Sequence, residues 1–466
     1  MRAVMPDLSG ETIVTMSGRK YKLNKLAGYG AQGVVYEDDT GKKMIKFYYP
    51  TGEKSIDSEI IDRLHYIRNI KKPPNFVDIE DIIEKPYVGY VMTRIVDYKP
   101  LNTYLIPDRN VSFAEWYNSG KGLRERIFIA YIIAKDFGAL ERINLSYCDI
   151  SGDNILVKIG KNAAVKIIDV DNLYVAGKGI AAVLGTPRYI APEVMSRQKN
   201  PDVLSDNYSL AVIVFELLRV GHPYISDDIL DGTPADEEDA LAGKREYVTD
   251  DNSKNMLPAD VVLTEKLKNL FQRCFVDGKE NRLMRPSAQE FEFALLEASN
   301  KVIRCRSCGA WHYPRKIGRV YIKCPWCDAP SKPEAKLNFY DVLREGESYE
   351  KRNVIENKFI NTYILREEKN KIKNLYVFRS DDPLKATENH MTIAKNAEGY
   401  HAYNEFSKDG IIIRKYRTGK THPLEKNTAE KLESGDEIYF ETNATIKFGG
   451  KQYSLIRMAR FVEETL

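Results

Sequence analysis

Between Gly28 and Asp169 the chain sets out, in one order, a glycine cluster, a strand lysine, an Asp followed five residues on by an Asn, and an Asp ending an apolar strand. Each piece is common alone. Together they restrict the fold, because the chemistry they suit needs all of them at a single site. Gly28-Tyr29-Gly30-Ala31-Gln32-Gly33-Val34-Val35-Tyr36 reads as strand–turn–strand. Glycines there let backbone amides approach phosphate oxygens with no Cβ in the way. The cluster leads into a strand and not a helix, which argues against a dinucleotide-binding βαβ unit. Lys43-Met44-Ile45-Lys46 ends the next strand, and Lys46 can reach the α- and β-phosphates of a nucleotide if an acid holds it. Glu59, opening the helix that follows, is the expected partner, and Glu53 is a less well placed competitor.

Further along comes Tyr147-Cys148-Asp149-Ile150-Ser151-Gly152-Asp153-Asn154-Ile155-Leu156-Val157. An Asp with an Asn five residues on, before an apolar strand, suits a base plus a magnesium ligand. The strand Val165-Lys166-Ile167-Ile168 ends at Asp169-Val170-Asp171, and a carboxylate at a strand end is well placed to hold a hard cation. Gly185-Thr186-Pro187-Arg188-Tyr189-Ile190-Ala191-Pro192-Glu193 follows, then Asp206 ahead of an apolar helix and Arg285-Pro286 ahead of the last helix of this region.

In order and spacing, residues 20–300 resemble the eukaryotic-like (Hanks-type) protein kinases. The resemblance implies a bilobal α+β kinase fold, an N-lobe over 20–96 and a C-lobe over 97–300, and phosphate transfer from ATP with Mg²⁺ or Mn²⁺ to a Ser or Thr of a protein substrate. Lys46 matches the phosphate-binding lysine and Glu59 its helix partner. Asp149 matches the catalytic base, Asn154 and Asp169 the magnesium ligands, and Met92 the gatekeeper ahead of hinge residues Thr93 and Ile95. Gly28, Gly30, Gly33 and Val35 match the nucleotide-covering loop. Glu193 and Arg285 match a structural ion pair, and Asp206 the acid that supports the catalytic loop. Thr186 falls where Ser/Thr kinases contact the acceptor.

Three positions depart from that pattern. Tyr147-Cys148-Asp149 replaces His-Arg-Asp, so the arginine that grips a phosphorylated loop is missing. The stretch from Asn172 to Leu184 holds no Ser or Thr, and the two gaps together predict that loop phosphorylation is not the on-switch. Ser151 replaces the catalytic-loop lysine, and Asp171 the glycine of the DFG motif, where it is expected to add a metal carboxylate. The alternative reading these departures support is a nucleotide-binding pseudokinase scaffold.

Four of the six cysteines fall within 23 residues. Cys305-x-x-Cys308 and Cys324-x-x-Cys327 are two knuckles of the kind that closes a tetrahedral structural Zn²⁺ site in a reducing compartment, giving a zinc ribbon over 301–334. His312 between them is expected at the surface and not as a ligand. Arg306, Arg315, Lys316, Arg319 and Lys323 make the ribbon basic, with protein contact favoured over nucleic acid. Over 335–466, strand-like runs (FINTYIL, NLYVFRS, GYHAYNEF, GIIIRKY, DEIYFE, ATIKFGG, QYSLIRM) predict an all-β sandwich. Leu432-Glu433-Ser434-Gly435-Asp436-Glu437-Ile438 and Phe448-Gly449-Gly450 give it a resemblance to forkhead-associated domains, without their Gly-Arg start or Ser-Arg-x-His loop. The acidic stretch from Asp227 to Asp251 reads as a solvated insertion.

A net charge of +3 over 466 residues gives no global footprint for nucleic acid or membrane. The longest apolar runs, Ile127–Ala134 and Leu210–Phe215, fall well short of the ~20 residues that span a bilayer. Residues 1–19, a short extension, lack the apolar core of a signal peptide, so a cytoplasmic location is expected. Chains that join a kinase to a zinc ribbon resemble members of bacterial signalling systems, which implies a PP2C-type phosphatase and a von Willebrand A-type protein as partners.

Overall fold

Alternating apolar residues near the start build a six-stranded antiparallel sheet. Its strands are β1 (Thr12–Val14), β2 (Lys20–Tyr29), β3 (Gly33–Asp38), β4 (Lys43–Tyr48), β5 (Asp81–Ile83) and β6 (Gly89–Thr93), in the order β1-β2-β3-β4-β6-β5. The computed structural model describes residues 5–464 except 120–121, 161–162, 176–184, 318–319, 322, 351–352, 367, 378–382, 442–443 and 449. One face of the sheet buries Leu23, Ile45, Phe47, Ile83 and Val91. The helix α1 (Lys54–Asn69) lies between β4 and β5 in sequence and buries Leu64 and Ile67, three residues apart on one stripe. At Gly33 an added Cβ would sit 1.9 Å from the carbonyl oxygen of Phe47, so only glycine lets β3 run this close to β4.

The helical part follows the expected segments: α2 (Gly122–Arg142), α3 (Val203–Arg219), α4 (Glu265–Gln272) and α5 (Ala288–Ser299). In α2, Ile127, Ala130, Ile133, Ala134 and Phe137 are buried at helical spacing. Helix α3 is buried on nearly all sides and opens with a capping box, in which Asp202 accepts from the Ser205 amide and the Ser205 hydroxyl accepts from the Asp202 amide. A short hairpin, β7 (Ile155–Lys158) with β8 (Ala164–Ile167), starts directly after Asn154 and ends two residues before Asp169. It therefore sets both side chains at one end of a two-stranded ribbon. The acidic stretch is more ordered than a solvated insertion: it folds into helices at Asp227–Leu230 and Pro234–Leu241.

The chain divides into two compact units, Met1–Leu295 and Leu296–Leu466. In the second, β9 (Ile303–Arg304) pairs with β10 (Trp311–His312) around the first knuckle, and a ribbon of β11 (Lys316–Ile317) and β12 (Val320–Tyr321) follows. The rest is mostly β. One sheet holds β13 (Ala335–Arg344), β14 (Val354–Leu365), β18 (Ile411–Arg414), β19 (Thr421–Pro423), β21 (Glu437–Phe440), β22 (Thr445–Phe448) and β23 (Lys451–Glu463). Its order is β14-β13-β23-β21-β18-β19, with β22 also on β23. A second sheet, β15-β16-β17-β20, is made of Lys369–Lys373, Asn389–Asn396, Gly399–Tyr403 and Ala429–Lys431. Leu337, Phe339, Ile393, Ala402, Ile413 and Phe461 share one core between the sheets.

The run NLYVFRS is not a strand. Its described part, Asn374–Val377, is a short helix, α6, and the strand lies before it at Lys369–Lys373. Tyr376 and Val377 are both buried although adjacent, which a strand exposed on one face does not allow. Asn374 holds the turn in place, its amide donating to the Lys385 carbonyl.

Candidate active site

One cavity of about 410 Å³ in the first unit is lined by Gly28, Gly30, Gly33 and Val35 from β2, β3 and the turn between them, and by Lys46 on β4. Met92, Thr93 and Ile95 line its edge, and Asp149 and Asp169 its far side. Val35 and Met44 approach from the sheet and Leu156 and Ile168 from the β7–β8 hairpin, which gives an apolar slot suited to a flat ring beside a polar end. An added Cβ on Gly28 or Gly30 would meet nothing within 4 Å, so the loop over the cavity is open.

The polar end is tightly organised. Asn154 Nδ2 donates to Asp149 Oδ2 at 2.8 Å and to the Asp149 carbonyl at 2.9 Å, and Thr186 Oγ1 donates to Asp149 Oδ1 at 2.8 Å. Buried Asp206 fixes this loop by accepting from the backbone amides of Tyr147 (2.5 Å) and Cys148 (3.0 Å). Cys148 there takes a left-handed φ of 69°. Burial pushes the Asp206 carboxyl up to about 7, against the pull of those two amides. Asp169 is also left-handed, with a φ of 51°, ahead of a 3₁₀ turn over Val170–Asn172.

Lys46 is held differently from the expectation. Glu59 is exposed on α1. The Lys46 ammonium instead donates to both oxygens of Asp171, at 2.9 and 3.1 Å, and lies 3.5 Å from Asp169 Oδ1. Tyr48 donates to Asp171 Oδ2 at 2.5 Å and Tyr90 to Oδ1 at 2.8 Å. With both oxygens occupied and the side chain fully buried, Asp171 is turned to the lysine rather than offered to a metal. Burial alone would lower the Lys46 pKa, but the Asp171 and Asp169 charges raise it above the ordinary value. Burial would likewise raise Asp171, yet Lys46 and the two hydroxyls hold it low. Asp169 is raised, by burial first and also by the neighbouring Asp171 charge.

Tyr48 and Tyr90 escaped the sequence reading, although strand geometry marks both. Tyr48 is two residues from Lys46 on the same face of β4, and Tyr90 is the cross-strand partner of Lys46 on β6. Glu53 is exposed at the start of α1 and does not enter the site. Most of the segment without Ser or Thr, from 176 to 184, lies outside the described residues.

In the second unit the four knuckle cysteines converge, with all sulfurs within 4.8 Å of one another. Cys305 and Cys327 sulfurs are 3.7 Å apart and those of Cys308 and Cys324 are 3.8 Å apart. Four thiolates at ~2.3 Å from one tetrahedral ion have S···S edges of about 3.8 Å, whereas a disulfide brings sulfurs to about 2.05 Å. The set therefore fits a zinc ion. His312 is no ligand, but neither is it at the surface: it is buried, with Nδ1 donating to the Tyr313 carbonyl at 2.9 Å and Nε2 accepting from Ser331 Oγ at 2.8 Å. The small ribbon has little else to pack, so the ring fills its interior. Arg306 is paired with Glu334, and Lys316 lies 3.4 Å from Glu464. Arg319 lies outside the described residues.

The family comparison agrees with this geometry. Residues 21–293 match the model of the protein kinase domain, more than half of the chain, and the chain belongs to that family. Among curated relatives it is 26% identical over 227 residues to the serine/threonine-protein kinase pkpA of Phycomyces blakesleeanus, covering 47% of this chain and 35% of the relative. It is 27% identical over 188 residues to the serine/threonine-protein kinase kin-29 of Caenorhabditis elegans, covering 38% and 21%. It is 27% identical over 212 residues to calcium-dependent protein kinase 20 of Oryza sativa subsp. japonica, covering 43% and 36%. The matched part spans between 21% and 66% of the length of the curated relatives. A protein kinase domain implies ATP, a divalent metal and protein substrates. Among the described residues, no helix is long and apolar enough to cross a membrane.

Proposed function

We propose that residues 20–300 form an ATP-dependent serine/threonine protein kinase with a non-RD catalytic loop, and that the zinc ribbon over 301–334 and the β-sandwich over 335–466 recruit its substrate or partners. The observation that carries the reading is the meeting of Lys46, Asp149 and Asp169 in one cavity under the glycine loop, with Asn154 bonded to Asp149. ATP is the source of the transferable phosphoryl group; Asn154 and Asp169 would hold a Mg²⁺ or Mn²⁺ ion, which would neutralise charge on the triphosphate. Val35, Met92, Thr93 and Ile95 receive the adenine, and Lys46 orients the α- and β-phosphates. Asp149 aligns the acceptor hydroxyl and takes its proton, a role that needs positioning more than covalent chemistry. The hydrogen bond from Thr186 to Asp149 Oδ1 supports a Ser or Thr acceptor at that carboxylate.

A structural Zn²⁺ on Cys305, Cys308, Cys324 and Cys327 gives the ribbon the stability its small core lacks. Acidic partners already on Arg306 and Lys316 favour protein contact over nucleic acid there. The two-sheet sandwich suits the forkhead-associated resemblance as an interaction module. A PP2C-type phosphatase and a von Willebrand A-type protein in a bacterial cytoplasmic signalling complex are proposed on resemblance alone.

The second reading, a nucleotide-binding pseudokinase scaffold, has one specific support. Ser151 stands in the place of the γ-phosphate lysine, and its buried hydroxyl has no hydrogen-bond partner among the described residues. Transfer of ³²P from [γ-³²P]ATP to a generic protein substrate, followed by phosphoamino-acid analysis, separates the two. The kinase reading predicts phosphoserine and phosphothreonine from the wild type and none from Asp149→Ala. Wild-type label no higher than that variant, with nucleotide still bound, supports the scaffold.

A further inference from the structure

The anchor of Lys46 is the departure with the largest consequence. On the helix side of the lysine Glu59 is exposed, and the α1 side chain that meets the Tyr48 hydroxyl is a cation, Arg63. The carboxylate that does hold the ammonium comes from the other direction, from the 3₁₀ turn directly after Asp169.

The geometry of that carboxylate is saturated. Asp171 is fully buried and receives Lys46 on both oxygens, Tyr48 on one and Tyr90 on the other. Lys46 and Tyr48 share a face of β4, and Tyr90 stands across from Lys46 on β6, so three donors from two paired strands close on one acceptor. Two buried charge-assisted hydrogen bonds hold the ammonium, and two hydroxyls hold the carboxylate that receives it, which fixes the lysine far better than an exposed acid does. Asp171 does not need the backbone freedom of the glycine it replaces, because it lies inside the 3₁₀ turn and is not among the residues with positive φ.

We infer that Asp171, and not Glu59, is the residue that positions Lys46, so that the lysine is held by the segment carrying Asp169 and not by helix α1. This deepens the kinase reading of the cleft and rests on it. The anchor of the phosphate-binding lysine and the metal-binding carboxylate then lie in one turn, and placing one places the other. Movement of α1, with Glu59 at its surface, then leaves Lys46 in place.

The test joins a stability cycle to kinetics on the full chain. Lys46→Met is made in the wild type, in Asp171→Asn and in Glu59→Gln, and urea unfolding is followed by helical circular dichroism. The inference predicts that Lys46→Met shifts the unfolding midpoint clearly less in Asp171→Asn than in the wild type, and equally in Glu59→Gln and the wild type. Non-additivity of this kind marks direct contact. In the same variants, Asp171→Asn lowers kcat/KM for ATP by about tenfold or more, while Glu59→Gln stays within about twofold. Additive effects of Lys46 and Asp171, or coupling of Lys46 to Glu59, overturn the inference. A wild type that transfers no phosphate yet shows the Lys46–Asp171 coupling upholds the anchor and removes the kinase reading instead.

Discussion

Replacing Glu193 with alanine takes the anion from the Arg285 pair and leaves the cation in its pocket. The buried guanidinium donates Nη1 to Glu193 Oε1 at 2.7 Å and Nη2 to Oε2 at 2.8 Å, a two-pronged match of fork to carboxylate. Its other donors meet the carbonyls of Gly278 and Leu204, each at 3.1 Å, and its Cζ lies 5.2 Å from the Tyr208 ring centre. Breaking one side of a buried pair ordinarily costs about 3–5 kcal/mol. The two carbonyls and the Tyr208 face remain after the substitution, which places this case at the lower end, about 3 kcal/mol. That is roughly a hundredfold change in the unfolding constant. For a unit of this size each kcal/mol moves Tm by about 2 °C, so the expected fall is about 6 °C.

The pair also carries a sign in pH. Burial would raise the Glu193 pKa, but the hydrogen bonds and charge of Arg285 outweigh it and hold the carboxyl below its ordinary 4.5. The unfolded chain therefore takes up a proton that the folded one refuses, and the gap between wild type and Glu193→Ala is full above the ordinary glutamate range. It narrows as pH falls through the lowered folded value. The assay is urea unfolding at neutral and acid pH, read by helical circular dichroism. The double variant Glu193→Met with Arg285→Met leaves no orphan charge and recovers much of the loss. A loss under about 1 kcal/mol for Glu193→Ala, or a double variant no more stable than the single, refutes the reasoning.

Two further outcomes follow from local geometry. Gly33→Ala, whose Cβ would collide with the Phe47 carbonyl, destabilises the sheet and weakens ATP binding, whereas Gly28→Ala, facing open space, leaves the unfolding midpoint unchanged; thermal melts of both variants check this. The ribbon holds one zinc per chain, released by a strong chelator and lost in Cys308→Ser, and metal analysis of the purified chain gives the stoichiometry.

The kinase unit was legible because its pieces lie in a fixed order and each carries a distinct residue type. Gly28, Lys46, Asp149 and Asp169 are far apart in sequence, yet they line one cavity. What escaped was the direction of side chains within elements already located. Glu59 was the expected partner of Lys46, with Glu53 as its competitor, while Asp171 was expected at the metal; only packing decides which acid turns to the lysine. Tyr48 and Tyr90 tip that balance, because their hydroxyls need a buried acceptor and Asp171 supplies it. In the second unit the sandwich strands were readable from alternation, and Asn374–Val377 was mistaken for a strand because an apolar run too short to show its period fits either state. His312 was misjudged because a ribbon this small uses a polar ring, satisfied at both nitrogens, as interior filling.

The central claim is that Asp169 and Lys46 belong to one metal–nucleotide site. Titration of a fluorescent ATP analogue into the wild type and Asp169→Asn, each with and without Mg²⁺, tests it most directly. The account predicts that Mg²⁺ tightens wild-type binding by about tenfold or more and has no such effect on the variant. Binding in the wild type that ignores Mg²⁺, or a variant that responds to Mg²⁺ as the wild type does, contradicts it.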